Sequence, residues 1–383
     1  MKKLLFIAIG AIFSSGLSAQ DLASKNPENK NVVLEEFTGK TCGYCPDGHK
    51  RADEFSAAND GRVVLINIHA GNYASGTPNY NTYTDAPTNT VNYGDVVYKH
   101  PDVKLTGFPS GTVNRTKFGT NTGTAANRGQ WAGFGADVMT EASPVNVGIK
   151  GVYDPAKFKL YVLVEAYYTA DELNATNMIN VGITQSGIYG PQSGATSFYP
   201  EKINASGEYR HDHMLRAVLT GQWGETISET TNSSLFRKMY TYDVPEKLND
   251  IAVVPADLTV YAFVAKDEQT ILSGNSVAVV EGTDPSIVDV SAISVLNSSV
   301  SAVNIYPNPT TGNPTLRINS ENSFEATIKV VSVTGAVVSN SSASVAAGSN
   351  EIAIEMNSLE EGMYFVEVSS QVGMVVRQSI VKK

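Results

Sequence analysis

Glu36-Phe37-Thr38-Gly39-Lys40-Thr41-Cys42-Gly43-Tyr44-Cys45 is the stretch on which the fold turns. It holds the chain's 2 cysteines, two residues apart. A thiol is a useful nucleophile only as thiolate, and a helix N-terminus favours that anion through its free N–H groups and dipole. The spacing places Cys45 one turn from Cys42, close enough to attack a mixed disulfide formed there. Cys42 is thus the expected attacking thiol and Cys45 the resolving one. No third cysteine competes for either.

The flanks supply a strand–helix–strand unit. Val32 to Phe37 is a short strand-like run, and Asp47 to Ala58 has helix-like composition with Ala52 and Phe55 on one face. Val63 to Ile68 is a continuous apolar run, as expected of a strand buried on both faces. That order predicts a parallel pair. Glu36 lies six residues before Cys42, where a buried carboxylate would exchange a proton with Cys45. Phe108-Pro109 ends a loop before an expected strand over Gly111 to Phe118, a place suited to a cis-proline beside the cysteines. Residues 70–104 are rich in tyrosines, including Tyr73, Tyr80, Tyr83, Tyr93 and Tyr98, which either line a groove or pack the insert. Trp131, Phe134 and Val138 predict one amphipathic helix ending near Ser143. Alternatives for the cysteines are a structural disulfide without turnover, or half a zinc site with His49. The chain has no second cysteine pair to complete a tetrahedron.

This segment resembles the active-site region of the thioredoxin superfamily over residues 31–143. There an acidic residue, usually followed by Phe, precedes the first cysteine by six. The Cys-Gly-Tyr-Cys core is similar to that of periplasmic disulfide isomerases, and Thr106-Gly107-Phe108-Pro109 resembles the family's cis-Pro loop. The resemblance implies catalytic roles for Cys42, Cys45, Glu36 and Pro109, and substrate contacts from Gly43, Tyr44 and Phe108. Two departures stand out: Thr41 replaces the usual aromatic, and the insert before Pro109 is long.

From residue 144 to 282 the period becomes two. Phe158, Leu160, Val162 and Val164 alternate with their neighbours, and Leu258 to Val264 and Ile271 to Val280 flank a hairpin at Asp267-Glu268. Several such strands predict a β-sandwich. His211 and His213 would share a face of a strand and are weak metal candidates; a polar strand edge is the plainer reading. His69, closing the second strand, reads as structural. The segment from Tyr209 to Glu225 resembles the Omp28-related proteins of Bacteroidetes, which combine a thioredoxin-like region with a β domain, over residues 31–282.

Residues 283–302 lack Lys and Arg and read as a linker. The tail, 303–383, resembles a type IX secretion C-terminal sorting domain on Tyr306-Pro307-Asn308-Pro309, Gly335, Leu359, Gly362, Tyr364 and the basic end. The resemblance implies a small Ig-like β-sandwich that engages the type IX secretion machinery. At the other end, Lys2 and Lys3, the apolar run Leu4 to Phe13 and Leu17-Ser18-Ala19 predict a signal peptide over 1–19 with the mature chain starting at Gln20. Residues 20–30 are expected to be flexible. No run matches the length of a transmembrane helix, and no cysteine follows the signal to carry a lipid anchor.

Composition agrees with export. Charged residues make up 17%, below the roughly 25% of an average soluble protein, and apolar residues 42%, enough for real cores. The net charge of -10 comes without a basic run, so nucleic-acid binding is not expected. The expected architecture is therefore an α/β thioredoxin-like domain (31–143), a β-sandwich domain (144–282) and a sorting domain. The expected function is that of a thiol–disulfide oxidoreductase or isomerase acting on protein disulfides at the cell surface, with no cofactor. The alternative is a non-catalytic surface binding or adhesive protein built on the same scaffold.

Overall fold

Seven residues, Val32–Thr38, form the first strand (β1), and all of them are buried. In a computed structural model of the chain, which describes residues 22–59, 61–83, 91–173, 176–282, 300–320, 323–332, 337–370 and 375–383, this strand organises everything that follows. The expected signal segment, most of the 283–302 linker and Gly335 lie outside the described residues.

Helix α1 (Cys45–Ala57) follows, opened by Pro46 in its first turn, where a missing N–H costs nothing. Strand β2 (Val63–His69) returns beside β1 in parallel register, Val32 opposite Val63 and Thr38 opposite His69. The insert forms a short helix, α2 (Tyr93–Tyr98), before β3 (Ser110–Val113) and β4 (Ala125–Asn127). β3 runs antiparallel to β1 and ends earlier than the sequence implied. Asn114 and Arg115 have φ of 49° and 45°, which turns the chain and sends the Arg115 side chain back toward β1. Helix α3 (Trp131–Val138) buries Trp131 and Val138 as its spacing predicts, but closes before Ser143.

Next come β5 (Val145–Asp154), β6 (Lys159–Tyr168), β7 (Asn177–Gln185), β8 (Ile188–Gly190), α4 (Ala195–Phe198), β9 (Tyr209–His211) and β10 (Met214–Val218). β11 (Glu225–Ile227), β12 (Leu235–Asp243), the small hairpin β13 (Lys247–Leu248) and β14 (Ile251–Ala252), β15 (Leu258–Lys266), β16 (Gln269–Ala278) and β17 (Val280–Glu281) complete this part. The expected hairpin at Asp267-Glu268 joins β15 to β16.

One nine-stranded sheet runs through both regions, in the order β16-β15-β7-β10-β2-β1-β3-β4 with β11 on β7. The seam is the parallel contact of β10 with β2. The sandwich is therefore built differently from two self-contained halves. A four-stranded sheet, β12-β6-β5-β17, packs on the β7–β15–β16 end of the long sheet. Toward its other end the long sheet carries a separate core on each face. Val32, Leu34 and Leu65 pack against Ala52 and Phe55 of α1 and Trp131 of α3. Val33, Phe37, Val64, Ile66 and Ile68 pack against Tyr93, Leu215 and Phe263. Strand alternation thus sends even-numbered β1 residues to the α1 face and odd-numbered ones away from it.

The tail contains a three-stranded sheet, β18 (Val300–Tyr306), β19 (Thr315–Ser320) and β22 (Gly348–Ala353), and a four-stranded one. The latter comprises β20 (Phe324–Ser332), β21 (Val337–Val345), β23 (Gly362–Ser370) and β24 (Val375–Lys382). Leu316 and Ile318 of one sheet share a core with Ile328, Val330, Val366 and Ile380 of the other. The chain is mostly strand, with few and short helices among the described residues.

Candidate functional site

Alternation along β1 gives Glu35 and Glu36, both fully buried, opposite fates. Glu35 faces away from α1 and is held by Arg115 through two bonds of 2.7 Å, Nε to Oε2 and Nη2 to Oε1. Thr112 adds a hydroxyl, and the Arg115 guanidinium lies over the Trp223 and Phe263 rings. Glu36 points beneath the first turn of α1, and neither of its oxygens has a hydrogen-bond partner. Burial holds its carboxyl well above the ordinary carboxylate range, and the charge of Asp53 adds to that.

Above Glu36 sits the cysteine pair. Cys45 is the first residue of α1, and Cys42 precedes it in a turn closed by the Cys42 N–H on the Gly39 carbonyl. The two are joined as a disulfide. Gly48, one turn after Cys45, lets Glu36 and Pro109 reach the helix together: a Cβ there would lie 2.5 Å from Glu36 Oε1 and 3.0 Å from Pro109 Cβ. The Phe108–Pro109 bond is cis. Phe108 packs against the rings of Tyr73 and Tyr98. The sequence-selected residues Cys45, Glu36 and Pro109 thus converge on one helical turn.

Access is the point on which the site departs from an open one. Cys42 is only 4% exposed. A segment from the β-rich half, Pro191 to Phe198, lies across it as a strap. The Gln192 side-chain amide donates to the carbonyls of Gly39 and Cys42, and the Ser193 N–H donates to the Lys40 carbonyl. Gly194, with φ +76°, presses on Gly43 so closely that a Cβ would fall 1.8 Å from the Gly43 oxygen. Tyr44, 59% exposed, packs its ring at a tilt against Phe198. A cavity of about 430 Å³ opens beside the strap, lined by Lys40, Thr41, Thr77, Pro191, Gln192 and Ser193. Another, of about 400 Å³, borders Phe108 and Pro109.

Behind the pair lies a cluster whose histidines the sequence offered singly but did not bring together. His49 follows Cys45 by four residues on α1 and so shares its face. His69 stands beside Thr38 across the β1–β2 register. His211 lies in contact with both rings and with Tyr80 and Tyr209. Burial pushes His49 down to about 3 and His211 to about 4, and puts His69 well below the usual histidine range. All three are therefore neutral at pH 7. His49 differs in being fully bonded, Nε2 to the Thr38 hydroxyl at 2.8 Å and Nδ1 to the Tyr209 hydroxyl at 2.9 Å. Both ring nitrogens of His69 lack partners.

The paired reading of His211 and His213 does not survive. β9 ends at His211, and His213 has φ +54°, so strand alternation does not run through both. His211 turns into the cluster, while His213 faces Asp53 at 3.6 Å. Among the described residues, no group of three or more His, Cys, Asp or Glu is arranged to hold a metal ion. Tyr80 and Tyr93 are buried packing residues, and Tyr73 remains partly exposed near Phe108. No helix among the described residues is long and apolar enough to cross a membrane.

Comparison with known proteins adds the family. Residues 99–283 match outer membrane protein Omp28, and residues 304–382 match the secretion system C-terminal sorting domain. HBP35 of Porphyromonas gingivalis is 20% identical, with a TM-score of 0.51 over 93% of this chain and 99% of that one. A domain of the outer membrane lipoprotein Omp28 from Porphyromonas gingivalis is 18% identical over 37% of this chain and 100% of that one, with a TM-score of 0.26. No curated protein matches the chain. Its tail engages the type IX secretion machinery, and its destination is the outer membrane or cell surface. The chain is thus an exported, Omp28-related protein carrying a C-terminal sorting domain and a Cys42–Cys45 disulfide.

Proposed function

We propose that this protein is a thioredoxin-like thiol–disulfide exchange protein of the cell surface, with Cys42 as attacking and Cys45 as resolving thiol. The observation that carries the reading is the meeting of Glu36 and Pro109 at Gly48, one helical turn after Cys45. Burial favours the protonated form of this carboxyl, which can thus supply a proton to the leaving Cys45 thiolate. Pro109 and Phe108 border an open cavity in which a partner chain would lie. In this reading Gly43 and Tyr44 form the rim that meets the partner, and the Pro191–Phe198 strap must lift to admit it.

The burial of Cys42 favours a second reading, in which the disulfide only braces the scaffold of a surface binding protein. The two part on one experiment. The purified protein is equilibrated with glutathione to obtain a potential, and Cys45→Ser is incubated with surface proteins to trap mixed disulfides on Cys42. Exchange predicts a potential within about -270 to -120 mV and a trapped partner that Cys42→Ser abolishes. A disulfide that glutathione cannot reduce, with nothing trapped, leaves the binding reading.

A further inference from the structure

His49 is buried, carries hydrogen bonds on both nitrogens, and has no task in the exchange chemistry described so far. Exchange creates a charge beside it. An incoming thiolate attacks Cys42 Sγ, the Cys42–Cys45 bond breaks, and Cys45 leaves as thiolate. Glu36 gives it a proton, which leaves Glu36 as a carboxylate. That anion is fully buried and has no hydrogen-bond donor on either oxygen. An isolated carboxylate is costly to bury. His49 Nε2, 3.9 Å from Glu36 Oε1, is the group placed to offset it.

We propose that His49 is the counter-charge of Glu36: as Glu36 gives its proton to Cys45, His49 takes up from solvent the proton that the incoming thiol shed on becoming thiolate, and it returns that proton to solvent when Glu36 is reprotonated. The inference rests on the exchange reading above. It makes His49 a positioning residue, acting on Cys45 through Glu36.

The hydroxyl cage around the ring supports this. Neutral imidazole has one donor and one acceptor nitrogen, whereas imidazolium has two donors. Thr38 and Tyr209 each present a hydroxyl that donates or accepts, so the same two bonds serve both states. His69, with two unpartnered nitrogens, has no such cage.

Of the surrounding charges, Arg128 also draws on Glu36 but is paired with Asp47, which leaves the changing charge to His49. From α1 itself comes Asp53, and from beyond β9 comes Asp212; Lys202 bridges both of them. His213 faces Asp53, and β9 adds the neutral Tyr209 and His211. Asp53 and Asp212 are therefore already paired, and the charge that changes during exchange is that of Glu36.

The test is the rate of disulfide reduction by dithiothreitol from pH 5 to 8, at concentrations where the rate is first order in thiol. His49→Gln should be slower than wild type by at least about tenfold at pH 7. In a Glu36→Gln background the same change should cost nothing further, because the charge it offsets is absent. Should His49→Gln fail to fold, Tyr209→Phe removes one acceptor of the imidazolium and should slow reduction in the same background-dependent way. Equal rates and pH profiles for wild type and variants, or an equal loss in both backgrounds, overturn the role of His49 and leave exchange standing. A wild type inert to dithiothreitol and to protein dithiols overturns both.

Discussion

A methyl group on Gly48 would stand 2.5 Å from Oε1 of Glu36, so the buried carboxyl rests directly on the helix backbone. Gly48→Ala should therefore push β1 and α1 apart and destabilise the protein by about 1–3 kcal/mol, as overpacking does. Urea unfolding measures the loss. In a Glu36→Ala background the penalty should shrink, since the atom that clashes has gone. An equal penalty in both backgrounds would place the conflict elsewhere.

The Glu35–Arg115 pair predicts a large and local cost. Arg115→Ala leaves a fully buried carboxylate with no cation, which typically costs about 3–5 kcal/mol. Chemical denaturation should show that drop, and Arg115→Lys should recover only part of it, since one ammonium cannot reproduce two parallel bonds. A loss under about 1 kcal/mol would contradict the burial of the pair.

The strap is testable through the rate at which Cys42–Cys45 is reduced. Gly194→Ala cannot keep its contact with Gly43, and Gln192→Ala loses the bonds to the Gly39 and Cys42 carbonyls. At about 1 kcal/mol for each net hydrogen bond lost, opening becomes roughly 5- to 30-fold more frequent in Gln192→Ala. Thiol-trapping gels should show faster reduction in both variants. Unchanged rates would mean that the strap does not limit access.

Stability should fall as the solution is acidified. His49, His69 and His211 have folded pKa values below the unfolded value near 6.5, so the unfolded chain binds more protons below that pH. Their contribution is complete above pH 6.5 and is lost as pH falls toward the folded values. Glu36 acts in the opposite sense: its folded pKa is raised, so its contribution is complete below the unfolded value and lost as pH rises through the folded one. His213 is lowered by burial as well, so between pH 5 and 6.5 the histidines outnumber the one carboxyl and unfolding takes up protons on balance. Denaturation at pH 7, 6 and 5 reads this slope, and a flat profile would contradict neutral burial.

Removal of residues 304–382 should leave the protein inside the outer membrane. Surface labelling of cells carrying the truncated chain should find none at the surface, while whole-cell blots still detect it. Normal surface display of the truncated chain would deny the tail its sorting role.

Local sequence carried much of this fold. The buried strand β2, the α3 spacing and the β15–β16 hairpin are all short-range patterns, and each forms where its pattern lies. The partners were not legible, because they depend on distant contacts. Arg115 gave no motif signal, yet its side chain reaches Glu35 once Asn114 and Arg115 turn the chain. Gln192 and Gly194 come from another part of the sequence altogether. His49 was visible only as a possible zinc ligand, although its distance of four residues from Cys45 already placed it on the face turned toward Glu36.

The continuous sheet has a practical consequence for anyone dividing this chain. A cut after residue 143 keeps β1 and β2 but strips β10 from the flank of β2. The Met214–Asn67 bridge would then be lost and the flank of β2 opened to pairing with other chains. A cysteine-bearing fragment made for convenience would tend to clump. The disulfide, the strap across it and the sheet beneath it therefore stay together only in the undivided chain.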